Sequence, residues 1–289
     1  MRGRRLRAAL TPYALVFPGA LWLAIFFVIP TVVMLSLSLQ SGNVTDGYVF
    51  TWNWRSYVDG ITTYTDQIVR SLVYGFLATV LELIIGFPVA YWIAFKGGRH
   101  KSVYLFLILL PFLVSFVLRT ISWQFLLSDN GILLGPLKSI GLIPKDMHIL
   151  ATGAAVVCGL VYNFFPFMVL PIYAALERID PRVLEAAQDL YASKFQTFLR
   201  VVFPLSLPGV FAGVLMTFVP ATSDYVNATV LGGTGNTMIG NVIQNQFLIN
   251  QDYPVASALS FTLMAILLIG IFLYARALGT EDVLEVAAR

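Results

Sequence analysis

Residues 13–39 read YALVFPGALWLAIFFVIPTVVMLSLSL, 27 residues without a charged side chain. At 1.5 Å per residue such a helix spans about 40 Å, more than the roughly 30 Å hydrocarbon core of a bilayer. Comparable apolar runs recur at about 69–95, 103–127, 149–175, 201–223 and 254–277, separated by polar segments rich in Gly, Pro, Asn and Asp. A soluble fold of 289 residues cannot hide so much apolar surface, so the main solvent is lipid. Composition agrees: 58% of residues are hydrophobic and 11% charged, against roughly 25% charged in a soluble domain. The predicted fold class is all-α, a polytopic membrane protein with six transmembrane helices in a single domain over residues 1–289.

Prolines 18, 30, 88, 111, 166, 171 and 208 fall inside these runs. Membrane helices tolerate them because neighbouring helices satisfy the freed carbonyls. In the fifth run Pro204 and Pro208 are expected to break the entry and Pro220 the exit. The opening MRGRRLR precedes a run longer than a signal-peptide core, with no clear small-residue cleavage site, so it is read as leading into an uncleaved first span. The single cysteine, Cys158, excludes an internal disulfide framework and reads as a small buried hydrophobe.

Lysine and arginine set the orientation. Arg2, Arg4, Arg5 and Arg7 precede the first run, Lys96, Arg99 and Lys101 follow the second, and Arg178, Arg182, Lys194 and Arg200 follow the fourth; the tail adds Arg276 and Arg289. The opposite side has only Arg55, Arg70, Lys138 and Lys145. Both termini and the 178–200 loop are therefore expected in the cytoplasm.

That loop contains LEAAQDLYASKFQTFLRVVFP, Leu184 to Pro204. Asp180 before Pro181 predicts a helix start, and Ser193 with Gln196 a capping box opening a second helix into the fifth run. Leu184, Ala187 and Leu190 share one side of the first helix, Glu185 and Asp189 another. Such a pair of helices either lies in the membrane interface or docks a soluble partner, and the residues alone leave both open.

Chemistry-bearing motifs are absent. There is no G-x-x-x-x-G-K-[ST], HExxH or CxxC; GGTGNTMIG (232–240) lacks a lysine and reads as a loop; His100 and His148 sit in polar segments. The chain is expected to be non-catalytic, with no metal and no cofactor of its own, its energy supplied by another subunit.

Glu185-Ala186-Ala187 followed by Val201-x-Phe203-Pro204 resembles the EAA loop of ABC-importer permeases. The stretches PFLVSFVLRTISW (111–123), GLVYNFFPFMVLPIYAALERID (159–180) and IGNVIQNQFL (239–248) extend the resemblance to permeases of the bacterial spermidine/putrescine type. The resemblance implies a cytoplasmic coupling helix between spans four and five, with Glu185, Ala186, Ala187, Asp189, Tyr191 and Ser193 facing an ATPase subunit. It further implies two copies of that ATPase, which bind ATP and Mg, a second homologous permease, an extracytoplasmic binding protein and a location in the bacterial inner membrane. No nucleic acid is implied. Two residues depart from the pattern: Phe203 replaces the usual leucine, a mild change, and Tyr191 stands at the family's glycine, where a left-handed turn would cost a tyrosine roughly 1 kcal/mol or more.

Ionisable groups inside spans are functional candidates, since a mid-membrane charge costs about 2.5–3.5 kcal/mol even on the lenient scale. Glu82 and Arg119 qualify. Pairing with each other or with a partner subunit is the plain reading, and it is favoured for Arg119 in a structural or gating role; Glu82 stays open and is a candidate for the substrate pathway. Asp224 with Tyr225 offers a carboxylate and a ring to an organic cation; Asp252 reads as a plain loop acid. Trp123, Tyr162, Phe164 and Phe165 either line a cation path or pack. The expected function is the permease subunit of a polyamine importer. A same-superfamily permease for another solute is the alternative; a secondary transporter would need internal repeats and several deep carboxylates, which the sequence lacks.

Overall fold

The computed structural model describes residues 15–142, 144 and 146–277. The basic residues Arg2, Arg4, Arg5, Arg7, Lys145 and Arg289 lie outside them, as does the start of the first apolar run.

Twelve helices and one hairpin follow in chain order among the described residues. They are α1 (Leu15–Ser38), β1 (Gln40–Asn43), β2 (Gly47–Phe50), α2 (Arg55–Thr63), α3 (Thr65–Lys96), α4 (Gly98–Leu113), α5 (Phe116–Leu127), α6 (Leu134–Ser139), α7 (Gly153–Glu177), α8 (Pro181–Asp189), α9 (Lys194–Ser223), α10 (Val226–Leu231), α11 (Ile239–Leu248) and α12 (Tyr253–Ala277). Five of them are long and apolar enough to cross a membrane (α1, α3, α7, α9, α12), and the α4–α5 pair makes six if it is counted as one span. The antiparallel hairpin, pairing Gln40 with Phe50 and Asn43 with Gly47, interrupts an otherwise helical fold.

Proline is handled in three ways. Pro88, Pro166 and Pro171 sit inside α3 and α7 without ending them. Before Pro30 and Pro204 the helix widens into a π turn: Ile29 N–H donates to Ala24 and Phe203 N–H to Phe198, each five residues back. The extra residue relieves the clash between a proline ring and the preceding turn. The fifth run is thus not broken at its entry, as expected from sequence, but runs unbroken through Pro204, Pro208 and Pro220. The third run behaves oppositely. Pro111 opens a tight 3₁₀ turn, Val114 and Ser115 are extended, and α5 leaves α4 at 90°.

Two compact units divide the chain. One comprises α1, the hairpin, α2 and the stretch Ile243–Met264; the other comprises Tyr64–Val242 and the end of α12. In the first, α1 buries none of its apolar window, as expected of a helix whose solvent is lipid on all sides. The second is built on α3, α7 and α9. One core cluster joins Ala78, Val156, Leu160, Phe164, Ala221 and Leu231. The other joins Phe87, Ala90, Met168, Ile172, Leu176 and Val210.

Small residues let these helices meet. A methyl at Gly209 would stand 2.5 Å from the Ala175 Cβ and 2.6 Å from the Pro171 carbonyl, so α9 lies nearly backbone to backbone on α7. Gly209→Leu is expected to cost about 1–3 kcal/mol through overpacking. Gly270→Leu on α12, where a Cβ meets nothing within 4 Å, should change stability by less than about 0.5 kcal/mol. Thermal unfolding of the two variants in detergent, compared with wild type, checks the pair.

Candidate functional sites

The C-terminal end of α3, the C-terminal end of α7 and the start of α9 gather at one end of the second unit. Lys101 Nζ reaches the Glu177 carboxylate at 2.9 Å, and Phe198 meets Phe87 and Tyr91 with ring centroids 5.7 and 5.8 Å apart. This end carries Lys96, Arg99, Lys101, Arg178, Arg182, Lys194 and Arg200, the cations grouped on one side from sequence.

The loop at this end follows its predicted caps. The Asp180 carboxylate accepts from Arg182 N–H at 2.9 Å. Ser193 Oγ accepts from Gln196 N–H at 3.2 Å, while the Gln196 side chain accepts from Ser193 N–H at 2.9 Å, which is a complete capping box. The second helix is not separate, however: its capped turn is the first turn of α9. Leu184 packs against the core, Glu185, Ala186 and Asp189 are exposed, and Leu190 lies beyond the helix end with 81% of its surface exposed. The apolar stripe is therefore one residue shorter than its spacing promised.

Tyr191 adopts the left-handed conformation the family glycine would take, with φ +59°. Ala192 N–H reaches back to the Ala187 carbonyl at 3.1 Å, the six-to-one bond of a Schellman ending. The ring is 97% exposed, so no packing among the described residues repays the strain. Tyr191→Gly should remove about 1 kcal/mol of strain. Amide exchange at Ala192 should then slow about fivefold if it proceeds through local opening.

Within the helices, Trp123 and Tyr162 meet edge to face at 5.4 Å and, with Phe112 and Phe165, line a cavity of about 460 Å³ among α3, α4, α5 and α7. Cys158 lines the same cavity and is exposed, which corrects its reading as a buried hydrophobe. Phe164 turns into the core instead.

Arg119 and Glu82 do not pair. The Arg119 guanidinium lies over the Phe112 ring at 4.2 Å and near Phe116 at 5.6 Å, a cation–π arrangement that replaces part of its lost hydration. Glu82 is fully buried in α3, and neither of its oxygens has a hydrogen-bond partner among the described residues.

Both acids of the 223–253 segment serve as caps. One Asp224 oxygen accepts from Asn227 N–H at 2.7 Å at the start of α10, and Asp252 accepts from Val255 N–H at 3.2 Å at the start of α12. Asp224 is buried while its neighbour Tyr225 is half exposed. The glycine-rich loop before α11 is pinned to α3: Arg70 donates to the Thr237 carbonyl, Tyr74 to Asn236, and Ile239 N–H to Ser71.

Sequence reasoning passed over one polar cluster. Asn163 Nδ2 donates to Thr120 Oγ1 at 3.1 Å and to Asn227 Oδ1 at 3.0 Å, joining α7 to α5 and α10 inside the apolar core. An asparagine inside the apolar run GLVYNFF was the available signal. Asn163→Ala leaves Asn227 Oδ1 only the longer 3.5 Å bond from Thr120 and should cost about 1–3 kcal/mol, read as a lowered unfolding temperature in detergent. Outside the spans, Asp129 is held below its ordinary carboxylate value by hydrogen bonds from Lys138 at 2.7 Å and His148 at 2.6 Å.

Residues 70–278 match the family model described as binding-protein-dependent transport system inner membrane component. The spermidine/putrescine transport system permease protein PotB of Haemophilus influenzae is 37% identical over 89% of this chain and 90% of its own. That of Escherichia coli K12 is 35% identical over 89% and 94%. A bacterial ABC transporter involved in the import of the acidic polysaccharide alginate shares the fold, with a TM-score of 0.70, 18% identity, and coverage of 96% of this chain and 98% of that one.

Proposed function

Because the chain belongs to the binding-protein-dependent transport system inner membrane component family, we propose that it is the permease subunit of an ATP-driven importer of spermidine and putrescine. The observation that carries the substrate class is identity of 35–37% across nearly the full length of two permeases named for those polyamines. In this reading the basic end of the second unit faces the cytoplasm, both termini lie there, and the 1–289 chain forms half of a pore completed by a second permease.

The 178–200 loop is the coupling element in this proposal. Glu185, Ala186, Asp189, Tyr191 and Ser193 present an exposed surface to an ATPase subunit, two copies of which bind ATP and Mg; Ala187 supplies the carbonyl that closes the turn. Phe198 then carries displacement of the loop into α3 through Phe87 and Tyr91. An extracytoplasmic binding protein delivers the substrate. A polyamine is a chain of ammonium groups, and what this chain offers it is the rings of Trp123, Tyr162 and Phe165 and the carboxylate of Asp224 beside Tyr225. Among the described residues no lysine or arginine forms an ion pair with Asp224, which suits it to a cation from outside the chain. Glu82 is a further candidate for the substrate pathway in this reading, and Arg119 holds a structural or gating place.

Uptake of labelled spermidine and putrescine by the assembled complex, with unrelated solutes as competitors, tests the substrate class; uptake that neither polyamine displaces overturns it. Glu185→Lys is expected to leave membrane insertion intact and to release or uncouple the ATPase, since a like charge at a docking surface costs several kcal/mol. Pull-down of the ATPase and substrate-stimulated hydrolysis read the two effects. Asp224→Asn keeps the capping acceptor while removing the charge. It should weaken apparent polyamine affinity roughly tenfold or more, as expected for loss of a charged hydrogen-bond partner.

A further inference from the structure

The stretch joining α1 to α2 carries a ring cluster that the transport reading does not use. The buried Leu39 carbonyl accepts from Thr51 N–H at 3.3 Å and from Asn53 N–H at 3.0 Å. Trp52, caught between these two bonds, is looped out in the left-handed conformation, φ +53°, and leaves its indole 62% exposed. Its ring contacts Phe50 at 4.9 Å and stacks on Trp54 at 6.5 Å, and Trp54 meets Tyr57 at 5.8 Å. Trp54 in the turn before α2 and Val58 and Ile61 on it, spaced i, i+4, i+7, form an exposed apolar stripe, while Ser56 and Gly60 face inward and Gly60 abuts Leu259.

Continuity with the spans identifies what covers this surface. At 24 residues α1 is about 36 Å long, enough to cross the hydrocarbon, and the hairpin begins two residues beyond Ser38. Tyr48 Oη donates to the Gln251 carbonyl at 2.5 Å, and its ring meets Tyr253, the first residue of α12, at 5.5 Å. The rings therefore collect where two apolar helices end, the depth at which acyl chains give way to headgroups. They are chiefly Trp and Tyr, whose apolar bodies and polar N–H or O–H groups suit that boundary.

We propose that the Trp52–Trp54 stack and the Trp54–Val58–Ile61 stripe seat in the headgroup–acyl boundary of the bilayer and fix the depth at which α1 and α12 end. Wild type and the Trp52→Phe, Trp54→Phe double variant, reconstituted in phosphatidylcholine–phosphatidylglycerol vesicles, isolate the fluorescence of these two indoles by difference. That difference signal should be quenched more by lipid brominated at acyl carbons 6 and 7 than at 11 and 12, and only weakly by aqueous iodide. Full iodide access without quenching by either lipid overturns the proposal. Protection from iodide that appears only when an extracytoplasmic binding protein is added overturns it too, and assigns the rings to a protein partner. If the double variant does not fold, a chain with Trp22, Trp92 and Trp123 replaced by phenylalanine supplies the same measurement directly.

Discussion

Where α9 crosses α7, the Gly209 backbone approaches Pro171 and Ala175 so closely that even a methyl would stand 2.5 Å from its neighbour. Gly75 on α3 does the same against Thr222 of α9, where a methyl would lie 3.2 Å from the Cα. In lipid, helices gain nothing from hiding one apolar surface against another, so dispersion at close approach must hold them together. The places of the other features in the second unit follow. Glu82 is enclosed where α3, α7 and α9 pack together. The aromatic cavity forms on the side of α7 that α9 does not cover.

The same unit joins a short surface loop to one long continuous helix. The capping box makes the turn after Ser193 the beginning of α9 rather than a helix of its own, and the π turn keeps that helix continuous past Pro204. Phe198 sits on the π turn between the Phe87 and Tyr91 rings. The turn after Asp189 thus leads through a capped start into α9, and α9 meets α3 through the Phe198 ring. The strained Tyr191 is the one point where the loop departs from its lowest-energy ending, and strain kept at an exposed position is a reason to look for a partner there.

Charge inside the helical bundle is managed without ion pairs among the described residues. Arg119 rests on aromatic faces, Glu82 is enclosed, and Asp224 is half committed to the start of α10. A permease that moves a polycation gains from this: a carboxylate already neutralised by lysine or arginine offers nothing to a passing ammonium, and an exposed cation would repel it. The Thr120–Asn163–Asn227 cluster supplies polar cohesion at no charge cost.

The sequence by itself determined the spans, the side on which the cations gather, the two caps of the loop and the family. Each is a local or compositional property: a run long enough for a bilayer, a count of lysines and arginines, a serine three residues before a glutamine. It also located the position whose backbone would be unusual, since only glycine enters the left-handed region without cost and Tyr191 stands where the pattern has glycine. Tertiary structure alone decided what each in-span polar residue meets. Spacing along one helix says nothing of the neighbour across from it, so Arg119 and Glu82 looked like partners and are not, and Cys158 looked buried and lines a cavity. Nor does a proline in a run announce whether the helix will break, as at Pro111, or widen by one residue and continue, as at Pro204. Around Pro204 the helix packs through Phe198, Val202 and Val210 against α3 and α7, partners that spacing along the run does not reveal.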